Sequence, residues 1–143
     1  MEARMEDEQV VTGPCGEKLG KWSSVKAQPV DRSMAEKTTI RWLIRKEDGA
    51  PTFAMRLFEL EPEAHIYAHR HPWEHEIFVL EGKGRIRIGA KIYDVEQGMF
   101  VFIPPNVEHE YWNTGNSIMR FLCLIPHKAT AEERVPECEV RER

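Results

Sequence analysis

From Thr38 onward, apolar and polar positions alternate in short runs rich in β-branched and aromatic residues, each closed by turn-forming residues. A period of two buries one face of a run and wets the other, which is the signature of strands. The pattern predicts strands at 38–46, 52–60, 64–70, 75–81, 84–88, 91–95, 99–103, 107–113 and 117–125, and no helix. Asp48-Gly49 is a turn signal, because glycine enters positive φ without steric cost. Gly89-Ala90 separates Arg85-Ile86-Arg87-Ile88 from Lys91-Ile92-Tyr93-Asp94, as a two-residue hairpin requires, and both arms alternate so that one face of each should be buried. Many short antiparallel strands without helices must close into a barrel or pair as a sandwich to hide their edges, so the expected class is all-β.

The flanks differ in texture. Residues 1–37 carry Gly13, Pro14, Gly16, Gly20 and Pro29 with little periodicity, and read as an arm with one or two short strands. Residues 129–143 read as a charged, solvated tail with room for a helical turn, Glu132, Glu133, Glu137, Glu139 and Glu142 standing against three arginines. The 38–128 stretch between them is the expected barrel.

Composition narrows the function classes. A chain of 143 residues is one domain by size and buries a core without disulfides. A formal net charge of −4 with acidic and basic residues mixed argues against nucleic acid and leaves a small molecule as the expected partner. Cys15, Cys123 and Cys138 are widely spaced and form no Cys-x-x-Cys pair, which points to a reducing compartment. No apolar run near the start could serve as a signal core or membrane span, so the expected location is the cytoplasm, away from membranes.

The candidate chemistry lies in the histidines. Of six in the chain, His69, His71 and His75 fall within seven residues, and His109 follows on a later strand after Pro104-Pro105-Asn106. Side chains two apart share a face of a strand, so His69 and His71 project together, and His75 keeps that parity if the strand resumes after Pro72. Ile77 and Val79 then continue the histidine side, while Glu76, Phe78 and Leu80 face the other way. Neutral imidazole is the commonest protein ligand for transition metals, and these four residues are the candidate ligands of one divalent ion. His65 and His127 are expected to be hydrogen-bonded or surface residues instead.

The spacing resembles the two motifs of the cupins, a family of small β-barrels. The first motif is Gly, five residues, His-x-His, three or four residues, Glu, six residues, Gly; here the positions are Glu63, His69, His71, His75 and Gly82. The second is Gly, five residues, Pro-x-Gly, two residues, His, three residues, Asn; here they are Gly98, Pro104, Asn106, His109 and Asn113. Glu63 and Asn106 stand where the family has glycines, and asparagine tolerates the left-handed conformation. His75 stands where the family usually has a glutamate ligand, and Glu76 is a competing alignment that puts the carboxylate on the wrong face. The His-Pro-Trp-Glu-His-Glu-Ile-Phe-Val-Leu run and the Phe-Leu-Cys-Leu-Ile-Pro ending are similar to a four-histidine, manganese-binding subgroup of cupins.

The resemblance implies a jelly-roll β-barrel over roughly 38–126, one metal ion with two adjacent positions open, and a homodimer in which the first strands pack between subunits. Four neutral imidazoles leave the full charge on the ion and make it a stronger Lewis acid than a site with a carboxylate. Ligand softness favours Fe, Ni, Cu or Zn, whereas the resemblance favours Mn(II), which is the first expectation. By parity, Tyr111, Phe121 and Cys123 line the pocket together with Met119, and the pocket should be apolar to aromatic and poor in charged groups. The expected activity is oxidative, dioxygenase-like chemistry on a small molecule, since no second acid or base of inward parity is evident. The alternative from another class is a metal-dependent protein that binds or senses a small ligand without turnover.

Overall fold

The computed structural model describes residues 9–127, so the expected tail lies outside the described residues. Eleven strands run in chain order: β1 (Val11–Thr12), β2 (Lys18–Leu19), β3 (Gln28–Pro29), β4 (Ala35–Ile44), β5 (Phe53–His69), β6 (His75–Glu81), β7 (Lys83–Ile88), β8 (Lys91–Glu96), β9 (Phe100–Ile103), β10 (His109–Asn113) and β11 (Met119–Pro126). The only helical pieces among the described residues are two three-residue 3-10 turns, Trp22–Ser24 and Lys46–Asp48. Every strand pair is antiparallel. The main sheet runs β8-β7-β10-β5-β11-β6-β9, with β4 alongside β5 and β3 alongside β4. It curls into an all-β barrel, the class that the alternation implied and the form that the cupin resemblance implied.

One expectation is corrected at the centre. The runs at 52–60 and 64–70 are not two strands; they are the two halves of β5, which continues through Glu61-Pro62-Glu63. Its first half pairs with β11, from Phe53 to Leu60, and its second half with β10, from His65 to His69. β5 therefore belongs to both walls of the barrel and bends between them. The bend is made with matched left-handed residues, Glu63 at φ 72° and Lys37 at φ 57° on the paired strand β4, where the register shifts. Glu63 and Asn106 (φ 63°) both keep the backbone conformation of the glycines they replace in the two motifs. Gly82, at φ 84°, could not be replaced so simply: a Cβ there would stand 2.6 Å from the Ile118 carbonyl oxygen.

Alternation then builds the interior. Ile77 and Val79 of β6, Ile86 of β7, Tyr111 of β10 and Met119, Phe121 and Cys123 of β11 are buried in one cluster with Leu60 and Ala64 of β5. β8 departs from its expected half-buried face. Only Val95 is buried in it, and Ile92 and Tyr93 are exposed, because β8 is an edge strand with β7 as its one neighbour.

The arm is packed on its own chain from Gln9 onward. β1 and β2 form a hairpin, and β3 extends the sheet beside β4. Arg41 and Arg120 both lie over the Trp22 ring, at 5.0 and 4.6 Å, while the same two guanidiniums bind the buried carboxylate of Glu59 at 2.9 and 2.7 Å. Nη1 of Arg41 also donates to the Val25 carbonyl at 2.6 Å. A buried carboxylate requires such pairing, and here it fastens the arm to the outside of β4 and β5.

Candidate metal centre

β5 and β10 bring the first and last of the four histidines together, for His69 and His109 are direct partners across that strand pair. His71 follows where the strand ends, and His75 opens β6 on the next wall. The loop between them is held to the second motif by a hydrogen bond from the Asn106 amide to the His71 carbonyl, 2.8 Å. One ring nitrogen from each of His69, His71, His75 and His109 then lies within 4.8 Å of the others. His75 and His109 are buried, and His69 and His71 are half-buried.

Hydrogen bonds determine which nitrogen faces the centre. His69 Nδ1 donates to the Tyr67 carbonyl, His71 Nδ1 to the Trp73 carbonyl and His109 Nδ1 to the Val107 carbonyl, each at 2.8 Å. A carbonyl only accepts, so the proton sits on Nδ1 and the Nε2 lone pair points inward. His75 is built differently: its Nδ1 meets Cys123 Sγ at 3.0 Å. Burial depresses the basicity of these rings, holding His71 at about 4, His109 at about 3 and His75 well below its ordinary value. Neutral imidazole is the form a metal needs.

A divalent ion fits this arrangement. His109 Nε2 is buried with no hydrogen-bond partner among the described residues, which is costly unless something electrophilic meets its lone pair. His71 and His75 Nε2 stand 3.0 Å apart, two inward atoms that a shared cation would reconcile. The four ring nitrogens lie within 4.8 Å of one another, near enough for one ion to draw them together.

The other histidines lie outside it. His65 Nε2 meets Glu110 at 2.6 Å and stacks on Trp112, and His127 Nε2 bonds the Ala50 carbonyl at 2.8 Å. Glu76 is exposed on the opposite face from His75. Asn113, the last residue of the second motif, is a latch: its Nδ2 donates to the Leu60 and Ser117 carbonyls at 2.8 and 2.9 Å.

A cavity of about 380 Å³ opens on His69, His71 and His75. Tyr111, Phe121 and Cys123 line it, and Phe121 stacks between Phe58 and Tyr111 with ring centres 5.3 Å apart on each side. Its walls also include Gln28, Val30 and Met34 of the arm, Trp42 and Trp73. The sequence reading missed these, since nothing local shows that an arm will fold over a barrel mouth. It also expected few charged groups here. Apart from the histidines the lining carries one, Arg56, which lies on β5 between inward Ala54 and Phe58 and whose parity alone would have placed it inside.

The family model for the cupin domain matches residues 56–125, the stretch that holds both motifs. The polyketide cyclase RemF from Streptomyces resistomycificus is 35% identical and superposes with a TM-score of 0.70 over 74% of this chain and 76% of that one. The chain belongs to the cupin superfamily. A predicted oxalate decarboxylase from Thermotoga maritima shares the cupin fold at 23% identity and a TM-score of 0.67, over 74% of this chain and 96% of its own. The 1-methylthio-D-xylulose 5-phosphate methylsulfurylase of Rhodospirillum rubrum is 28% identical over 74 residues, 52% of this cupin. The cupin spans about half the length of the curated relatives it matches, 45% and 47%. Among the described residues, no helix is long and apolar enough to cross a membrane.

Proposed function

We propose that this cupin is a metalloenzyme in which His69, His71, His75 and His109 hold one divalent ion, Mn(II) as the first choice, for oxidative chemistry on a small, largely apolar molecule. The observation that carries the reading is the convergence of one ring nitrogen from each of four imidazoles within 4.8 Å, with three of the rings, His69, His71 and His75, lining a largely apolar cavity. An ion held there supplies a Lewis-acid centre and, if redox-active, an electron-transfer centre. Among the described residues, the cavity lining contains no carboxylate and no lysine. Burial pushes the Tyr111 phenol well above its ordinary range and the Cys123 thiol up, so neither serves as a base. Hydrolysis or isomerisation by side-chain proton transfer therefore lacks its groups, whereas redox chemistry at an ion does not need them.

A second reading draws support from the 35% identity with RemF: ring closure of a polyketide-like chain between the aromatic walls, without oxidation. Elemental analysis of the purified protein, followed by oxygen-electrode measurements with a panel of β-diketones and polyphenols, separates the readings. Oxygen uptake that disappears in His109→Ala supports the oxidative enzyme. Ring closure without uptake supports the second reading, binding without turnover leaves a ligand-binding protein, and a chain that retains no metal overturns the proposal.

The proposed setting is the cytoplasm as a homodimer. Exposed Cys15 and buried Cys123 are both free thiols, which suits a reducing compartment. Phe78, Phe100 and Phe102 are exposed on β6 and the edge strand β9, and supply an apolar face for a second copy. Sedimentation equilibrium checks the dimer.

A further inference from the structure

Arg56 has a place in the fold that no other strand arginine shares. Arg41 and Arg120 bind Glu59, Arg85 binds Asp94, and Arg87 binds Glu108 and Glu110. Arg56 has no carboxylate partner among the described residues. It is the direct partner of Cys123 across β5 and β11, and its Nη2 donates to Cys123 Sγ at 3.0 Å and stands 3.5 Å from His75 Nδ1. Its Nε is buried with no hydrogen-bond partner among the described residues. A guanidinium carries five N–H donors, and the one acceptor supplied here beyond an imidazole is a soft sulfur.

The surroundings hold the group in place without neutralising it. Its Cζ lies 4.9 Å from the Phe58 ring centre and 5.6 Å from that of Trp42, so aromatic faces steady the charge. Among the described residues, the same cavity has no acidic residue in its lining. A partly buried, unpaired cation is destabilising unless a counter-charge arrives, and a planar guanidinium fork matches a carboxylate.

We propose that Arg56 is the anion anchor of this cavity, and that the natural ligand is an organic carboxylate with an apolar or aromatic body. The carboxylate takes the open donors of Arg56, beside the histidine wall. The body lies against Trp42, Phe58 and the arm residues Val30 and Met34, which close the apolar side of the cavity. The position of the head group next to the reacting centre rests on the metalloenzyme reading; the anchoring itself does not.

Isothermal titration with 2-naphthoate and its neutral isostere 2-naphthamide tests the anchor, using the full chain in both chelator-treated and Mn(II)-loaded forms. Without metal, the acid binds the wild type at least about tenfold tighter than the amide, the expected effect of a charged hydrogen-bonding partner. In Arg56→Met that ratio falls to near one, the acid losing more affinity than the amide, and in Arg56→Lys part of the ratio remains. Equal binding of acid and amide by the wild type, no detectable binding of the acid, or an unchanged ratio in Arg56→Met overturns the inference. The wild-type comparison stands even if the methionine variant fails to fold. If no form retains metal but the acid preference and its dependence on Arg56 persist, the metalloenzyme reading fails and the anchor survives. Bound metal without that preference is the reverse outcome.

Discussion

Cys123 Sγ lies 3.0 Å from Nδ1 of His75, in the place where each of the other three site histidines meets a backbone carbonyl. The second contact of a ligating imidazole orients the ring and sets its donor strength. Removing the sulfur in Cys123→Ala should therefore weaken metal binding about 10–100-fold, with Cys123→Ser, which keeps an acceptor, losing less. Competition against a metal indicator dye measures both.

His75 and Glu76 point to opposite faces of β6, one buried and one exposed. His75→Ala should strip the ion from the purified protein, whereas Glu76→Ala should leave it in place. His75→Glu, which restores the family's usual carboxylate, should retain it as well. Elemental analysis reads all three, and retention by His75→Ala together with loss in Glu76→Ala would sink the four-histidine assignment.

Acid sensitivity follows from the buried rings. His71 (about 4), His109 (about 3) and His75 (well below ordinary) are all depressed by burial, so between those values and about 6.5 the unfolded chain binds more protons than the fold. The stability of chelator-treated protein should be unaffected by these groups above about 6.5 and fall as pH drops from there toward 4 and 3. Mn(II) binds only the neutral rings and should move the loss to lower pH. Urea unfolding at a series of pH values, with and without the ion, checks the sign.

Glu63 occupies a left-handed position at φ 72° that glycine adopts freely. Its contact with Lys37, 3.5 Å between two exposed side chains, offsets little of that cost. Glu63→Gly should stabilise the fold by about 0.5 kcal/mol, the left-handed penalty less the extra chain entropy of glycine. A β-branched Glu63→Val should destabilise it by at least about 1 kcal/mol. Chemical denaturation midpoints give both values.

The strands and the four histidines were legible because both depend on local spacing. Alternation by two placed Ile77, Val79, Met119, Phe121 and Cys123 inward, and the paired motifs marked His69, His71, His75 and His109 as a set. What the spacing left open was continuity and cover. Pro62 and the left-handed Glu63 look like a break in one dimension, yet β4 bends with β5 at Lys37 and carries one strand across both walls. An edge strand such as β8 shows the same alternation as a central one, so its exposed Ile92 and Tyr93 could not be told from core residues.

The amino-acid sequence by itself determined the β period, the turns and the set of imidazoles, since each follows from side chains a few residues apart. Only the tertiary structure decided what surrounds those imidazoles. The arm folds back through Trp22 onto Arg41 and Arg120, Cys123 replaces a carbonyl behind His75, and Arg56 enters the cavity with no counter-charge among the described residues. These depend on pairings between positions 19 to 98 residues apart, and no local rule of periodicity or propensity reaches that far.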